Sequence, residues 1–262
     1  MATPQAPLTV STAATGAPEP RRLGVGFGAA WWGEGWRVFA ASPGVWIAMV
    51  LILFVLMFVM VLVPLIGGIA QALLLPVFWG GTMLGCHALA RGEPLRVAHL
   101  FEAFGSGRFG SLIIVGLVML AGAIVVSLVV VMVAFMTIGV AGLGTLANLT
   151  DPMAIDLRAL YALDGALLVV FAVAFMGFGL MAMAFWFAPA LIVLDHEEPL
   201  RALRKSFVAS TRNLDAMVVY GLVYIALSIV ATIPFLLGWL VFAPMLFGSC
   251  YAGWRTIFAS AR

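Results

Sequence analysis

The sequence predicts an all-α integral membrane protein: six transmembrane helices arranged as three hairpins, each preceded by a cytoplasmic interfacial amphipathic helix. Three observations carry that prediction. Of 262 residues, 65% are hydrophobic and only 9% charged, with mean hydropathy +1.18, whereas a soluble domain carries about 25% charged residues. Charge-free runs recur at the length that a hydrocarbon core of about 30 Å demands, roughly 20 apolar residues at 1.5 Å rise. Between them lie short basic segments, two of which open alike, Glu93-Pro94-Leu95-Arg96 and Glu198-Pro199-Leu200-Arg201.

Residues 1–21 are rich in Ala, Thr and Pro and are expected to form a disordered tail, with no apolar stretch of the kind a signal peptide needs. Residues 22–262 form the membrane domain, in repeat-like units of about 22–90, 91–194 and 195–258. The first unit opens with a surface helix in which Trp32, Trp36 and Phe39 fall at helical spacing and Glu34 and Arg37 lie three apart. Indoles suit the headgroup zone. A first span over residues 44–63 turns at Pro64 into a second over 69–90, which holds Gln71, Pro76 and the pair Gly81 and Gly85. Small residues four apart let another helix approach closely, the usual way that spans pack where lipid removes the hydrophobic drive; these two are candidate helix-packing positions.

The second unit begins with a helix from Pro94, whose missing N–H suits a first helical position, and Val97, Leu100, Phe101 and Phe104 follow the amphipathic rule. A long third span covers about 111–139. The loop 141–163 contains a short helical lid, and a fourth span over about 165–194 includes Pro189. In the third unit Leu200, Leu203, Phe207 and Leu214 share one helical face, with Arg201, Arg204, Lys205 and Arg212 opposite. That segment should lie flat on the membrane. Spans five and six follow over about 216–233 and 237–257. Shifting the first unit by 168 positions lays Phe39 on Phe207, Ser42 on Ser210, Pro76 on Pro244, and Gly81 and Gly85 on Ser249 and Gly253, which become the matching candidate packing pair. One offset that aligns a surface helix and a distant span marks internal duplication, in parallel units.

Cation placement sets the threading. Of 13 Lys and Arg, all but Arg158 fall before the first span, after the second, after the fourth or after the sixth. The positive-inside rule then puts both termini in the cytoplasm. The partner implied is the bilayer, with anionic headgroups meeting Arg96, Arg201, Arg204, Lys205 and Arg212 at about 1 kcal/mol each. A protein partner or homo-oligomer remains open, and no dense basic surface for nucleic acid exists.

Chemistry is sparse. The 11 acidic residues lie in loops or at span ends, so the intramembrane carboxylate of an ion-coupled transporter is missing. Cys86 and His87 are neighbours, hence about 100° apart on a helix, with no acidic partner in their span. Cys86 and Cys250 read as free thiols packed among helices. His87, His99 and the run Asp195, His196, Glu197 match no ligand spacing. No catalytic residue, cofactor or metal is therefore expected.

The stretch from Leu74 through Pro76, Trp79, Gly80 and Gly81 to Arg91-Gly92-Glu93-Pro94, with Phe187-Ala188-Pro189, Pro199-Leu200-Arg201 and Ser206-Phe207-Val208-Ala209-Ser210, resembles an uncharacterised family of bacterial six-helix inner-membrane proteins. The resemblance covers about residues 31–258 and implies a bacterial cytoplasmic membrane but no activity. The function expected is a non-enzymatic membrane interaction, assembly or lipid-organising module. The alternative is a facilitator for an apolar or amphipathic solute, suggested by glycine-rich spans and mid-span prolines that free backbone carbonyls.

Overall fold

A computed structural model describes residues 19–147 and 157–258, and every regular element among them is a helix. In chain order these are α1 (Phe27–Ala41), α2 (Pro43–Val61), α3 (Ile66–Ala90), α4 (His99–Gly105), α5 (Phe109–Ala147), α6 (Leu157–Phe185), α7 (Ala188–Leu194), α8 (Pro199–Arg212), α9 (Leu214–Thr232) and α10 (Trp239–Phe258). Five stretches are long and apolar enough to cross a membrane: Pro43–Val61, Ile66–Ala90, Phe109–Gly139, Asp164–Leu194 and Leu214–Thr232. The protein is thus an all-helical, multi-pass membrane protein. α10 has the length but not the hydropathy, because Ser249, Tyr251, Trp254 and Arg255 fill its C-terminal half.

Local sequence explains the breaks. Pro43 and Pro199 sit in the first turns of α2 and α8, where an absent N–H costs nothing. The turn after α2 is tight: Leu65 takes a positive φ of 63°, and the Gly67 N–H donates to Val63 O at 2.8 Å. A Cβ on Gly67 would strike the Met60 carbonyl. Pro76 and Pro244 lie inside α3 and α10, each freeing the carbonyl four residues earlier. At Ala72, whose carbonyl Pro76 frees, Gly116 of α5 comes so close that a Cβ there would stand 2.9 Å from the Ala72 oxygen.

Four expectations about elements are corrected. The fourth span is two helices, α6 and α7, since the chain breaks at Trp186 and Phe187 just before Pro189. Ser206 mends the break: its hydroxyl donates to Met183 O at 2.8 Å and accepts from the Phe187 N–H at 3.0 Å. The second surface helix starts at His99, not Pro94, and has seven residues. The extended run before it is held by the Glu93 N–H, which donates to Ala88 O at 2.9 Å. On α8 the buried face is Ala202, Leu203, Ser206, Ala209 and Ser210, whereas Leu200 is 66% exposed. Small side chains and hydroxyls seat this helix against backbone, and of its two leucines only Leu203 belongs to the inner face. The loop once assigned to 141–163 is shortened by α5 and α6; the lid expected within it lies largely outside the described residues, at 148–156.

The helices α1, α4 and α8 each wedge against a longer helix. α1 packs on α10 and α9, α4 on α3, and α8 on α6 and α7. α3, α7 and α10 also touch one another, and together they form the middle of the bundle. This arrangement is cyclic: each wedge engages the helix that closes the preceding third of the chain, and α1 completes the ring on α10.

Candidate functional site

Gly81 and Gly85 of α3 lie against α4 and the chain that leads into it. A Cβ on Gly81 would collide with the Leu100 carbonyl and lie 2.7 Å from that of His99, and one on Gly85 would lie 2.9 Å from Leu95 Cδ1. Gly81 and Gly85 therefore receive α4 and its lead-in. For α1 the close approach is at Gly35, where a Cβ would collide with the Met245 carbonyl and stand 3.1 Å from Ser249 N, while one on Gly253 would lie 2.9 Å from the Phe187 ring and only in ordinary contact, at 3.6 Å, with Trp31. The spacing foretold close approach between spans; what approaches is the short helices.

Rings fill the middle. Trp32 is buried and stacks on Tyr220 at 4.9 Å and Phe242 at 5.5 Å. Trp186, at the break in the fourth span, meets Tyr220 at 5.6 Å and Trp79 at 5.8 Å, and Trp79 meets Phe247 at 5.2 Å. Two polar groups in this seam are paired inward, the Tyr220 hydroxyl sharing a 2.6 Å hydrogen bond with Ser249 and the Trp32 indole donating to Tyr220 O at 3.2 Å, whereas the Trp79 indole nitrogen is buried without a hydrogen-bond partner among the described residues. Of the tryptophans expected in the headgroup zone, Trp36 is exposed but Trp31 and Trp32 are core residues.

One end of the bundle gathers the ends of α3, α7 and α10. His87 Nδ1 lies 3.1 Å from the Tyr251 hydroxyl, and the Trp254 indole donates to Asp195 Oδ2 at 2.6 Å. Burial pushes the Asp195 carboxyl above its usual range; the Trp254 bond opposes this, the neighbouring Glu197 adds to it, and Lys205 and His196 oppose it. Glu197, 2% exposed, accepts from Lys205 Nζ at 2.6 Å, while its other oxygen is buried without a hydrogen-bond partner among the described residues. The chain before α1 docks here too. Asn213, fully buried, accepts from the Leu23 N–H at 2.6 Å and donates to Arg21 O at 2.9 Å. Residues 19–21 are therefore held against α8, against the expectation of a tail through 21; residues 1–18 lie outside the described residues.

These contacts divide the five candidate membrane-surface cations. Arg96, Arg201 and Arg204 are exposed, Arg201 lying 3.8 Å from Glu198 at the helix start. Lys205 is corrected: its side chain is 17% exposed and spent on Glu197. Arg212 is half taken, donating to Pro20 O at 3.2 Å and lying 3.8 Å from Glu19. Lys205 turns to Glu197, eight residues earlier, while Arg212, still exposed, reaches the chain before α1. Nor do the described residues bring three His, Cys, Asp or Glu side chains together in a metal-holding group.

Comparison with known proteins agrees with this membrane architecture. The chain is 29% identical over 203 residues, 77% of its length and 73% of the relative's, to a probable inner membrane protein of Burkholderia thailandensis. No family model and no solved structure matches it. The likeness is consistent with the resemblance to bacterial inner-membrane proteins carried by the proline and glycine motifs.

Proposed function

We propose that this protein is a non-enzymatic module of the bacterial cytoplasmic membrane that organises lipid or a partner protein at its cytoplasmic face. In this reading it has six spans in three hairpins, α10 being the sixth, and both termini are cytoplasmic. The observation that carries the proposal is the ring of wedges. α1 and α4 are seated on α10 and α3 by close backbone contact and α8 by the Ser206 and Ser210 hydrogen bonds to Met183 O, with Arg37, Arg201 and Arg204 exposed on α1 and α8 and Arg96 and Arg108 flanking α4. The groups best suited to chemistry are engaged in packing: Cys86 is buried, His87 faces Tyr251, and Asp195 is bound by Trp254. α10 is shielded by α1, α2, α3 and α9, so its Ser, Tyr and Arg need not meet lipid, and a span in that position tolerates lower hydropathy.

Affinity purification of the tagged full-length chain from native membranes, with lipid analysis and protein identification, tests this. The expected result is enrichment of anionic phospholipid over the bulk membrane, or stoichiometric recovery of a defined protein. Recovery of neither would overturn the proposal.

A further inference from the structure

A groove of about 900 Å³ opens between α4 and the ends of α3 and α7, with Leu84 and Val193 on its walls and Arg96, Arg108, His99 and His196 around it. Two carboxylates also line it, but Glu93 is engaged by Arg91 at 3.0 Å and Glu102 lies 3.7 Å from His99. The guanidiniums of Arg96 and Arg108 have no hydrogen bond or ion pair among the described residues; their bonds are made by backbone, the N–H groups donating to His99 Nδ1 at 2.9 Å and Ser106 Oγ at 3.3 Å and the carbonyls accepting from the His99 and Leu112 N–H groups. Two free guanidiniums facing one groove form a site for a doubly coordinated oxyanion.

Position names the source of the anion. Arg108 immediately precedes α5, Arg96 follows the end of α3, and His196 follows the end of α7. All three stand where a membrane-crossing stretch meets water, the depth at which lipid phosphates lie. Beside the groove, Phe101, Phe104 and Phe109 present rings that are 42%, 38% and 37% exposed, Phe104 stacking on Phe109 at 5.5 Å. They make an apolar ramp from the groove to the foot of α5. We infer that this groove binds the phosphate headgroup of an anionic phospholipid, with Arg96 and Arg108 on the phosphate and the acyl chains leaving past Phe101 and Phe109. The inference rests on the proposed reading that this end of the bundle lies at headgroup level.

Native mass spectrometry of the full-length protein in detergent, titrated with phosphatidylglycerol or phosphatidylcholine, tests the site. Phosphatidylglycerol should be retained in preference. Arg96→Gln with Arg108→Gln should weaken that retention about tenfold or more, Lys at both positions should restore most of it, and Arg201→Gln with Arg204→Gln, which removes as much charge outside the groove, should weaken it by clearly less than the groove pair does. If the double glutamine variant does not fold, the exposed Arg96→Gln alone decides, with a loss of about threefold or more. Retention that follows Arg201 and Arg204 instead would overturn the groove while leaving the broader function standing. Equal retention of the two lipids by the unaltered protein would overturn the groove and the lipid arm of the proposed function, leaving only the partner-protein arm to the affinity purification. Displacement of phosphatidylglycerol by millimolar inorganic phosphate would show a soluble-anion site and reject the lipid.

Discussion

Glu197 shows how a single position defeats a reading by charge. Its neighbours in sequence are solvated, yet it is buried, and Lys205 turns inward to meet it. Removing one partner of such a pair leaves an uncompensated charge in a poorly solvated place. Lys205→Met should therefore cost about 3–5 kcal/mol, measured by thermal unfolding in detergent, whereas Arg204→Met should change stability by no more than about 0.5 kcal/mol. Equal effects would mean that the pair does not hold the turn between α7 and α8. Asp195 gives a pH signature. Its carboxyl is raised by burial above the ordinary value of 3.8, so the folded state binds this proton more tightly than the unfolded chain does. Stability from this group is thus lost as pH rises from about 4 through the raised value. Asp195→Asn keeps an acceptor for the Trp254 indole and should flatten that slope, raising the unfolding temperature at neutral relative to acidic pH. An unchanged slope would refute the assignment.

At the scale of elements, the long helices and their stops were legible in the sequence. Pro64, the Arg91 to Pro94 return and Pro234 each fall between observed helices, and the 168-residue offset sets Pro76 and Pro244 inside α3 and α10 alike. The wedges were legible as amphipathic segments but not as to which side they bury. A wheel that counts leucines finds a lipid-facing stripe; close contact with a neighbouring backbone instead selects Ala202, Ser206, Ala209 and Ser210, because small side chains bring helix axes together. The break at Trp186 was foreshadowed only by Pro189, since its repair depends on Ser206, 19 residues beyond Phe187. Gly81→Ala should test the seating of α4. With the Leu100 carbonyl fixed behind it, the added methyl should cost about 1–3 kcal/mol, while Gly68→Ala in the same helix, with nothing within 4 Å of the new carbon, should be neutral or slightly stabilising. A tolerated Gly81→Ala would show the seat to be loose.

For the whole molecule, the cyclic packing explains how one chain can combine very apolar helices with a polar last one. α2, α5, α6 and α9 expose most of their length, while α10 is buried along nearly all of its inner and outer faces. Composition alone could not reveal that shielding, because it is supplied by α1 from the opposite end of the sequence. The proposed six-span reading has α9 and α10 cross in opposite senses, which would put the turn around Phe235, itself 95% exposed, across the membrane from Ser106 and Thr211. Single cysteines at 106, 211 and 235, in a background lacking Cys86 and Cys250, can be probed with a membrane-impermeant thiol reagent on spheroplasts and on inverted vesicles. Residue 235 should react only from the periplasmic side, and 106 and 211 only from the cytoplasmic side. Labelling of 211 and 235 from the same side would contradict the six-span ring and the lipid-facing basic end built on it.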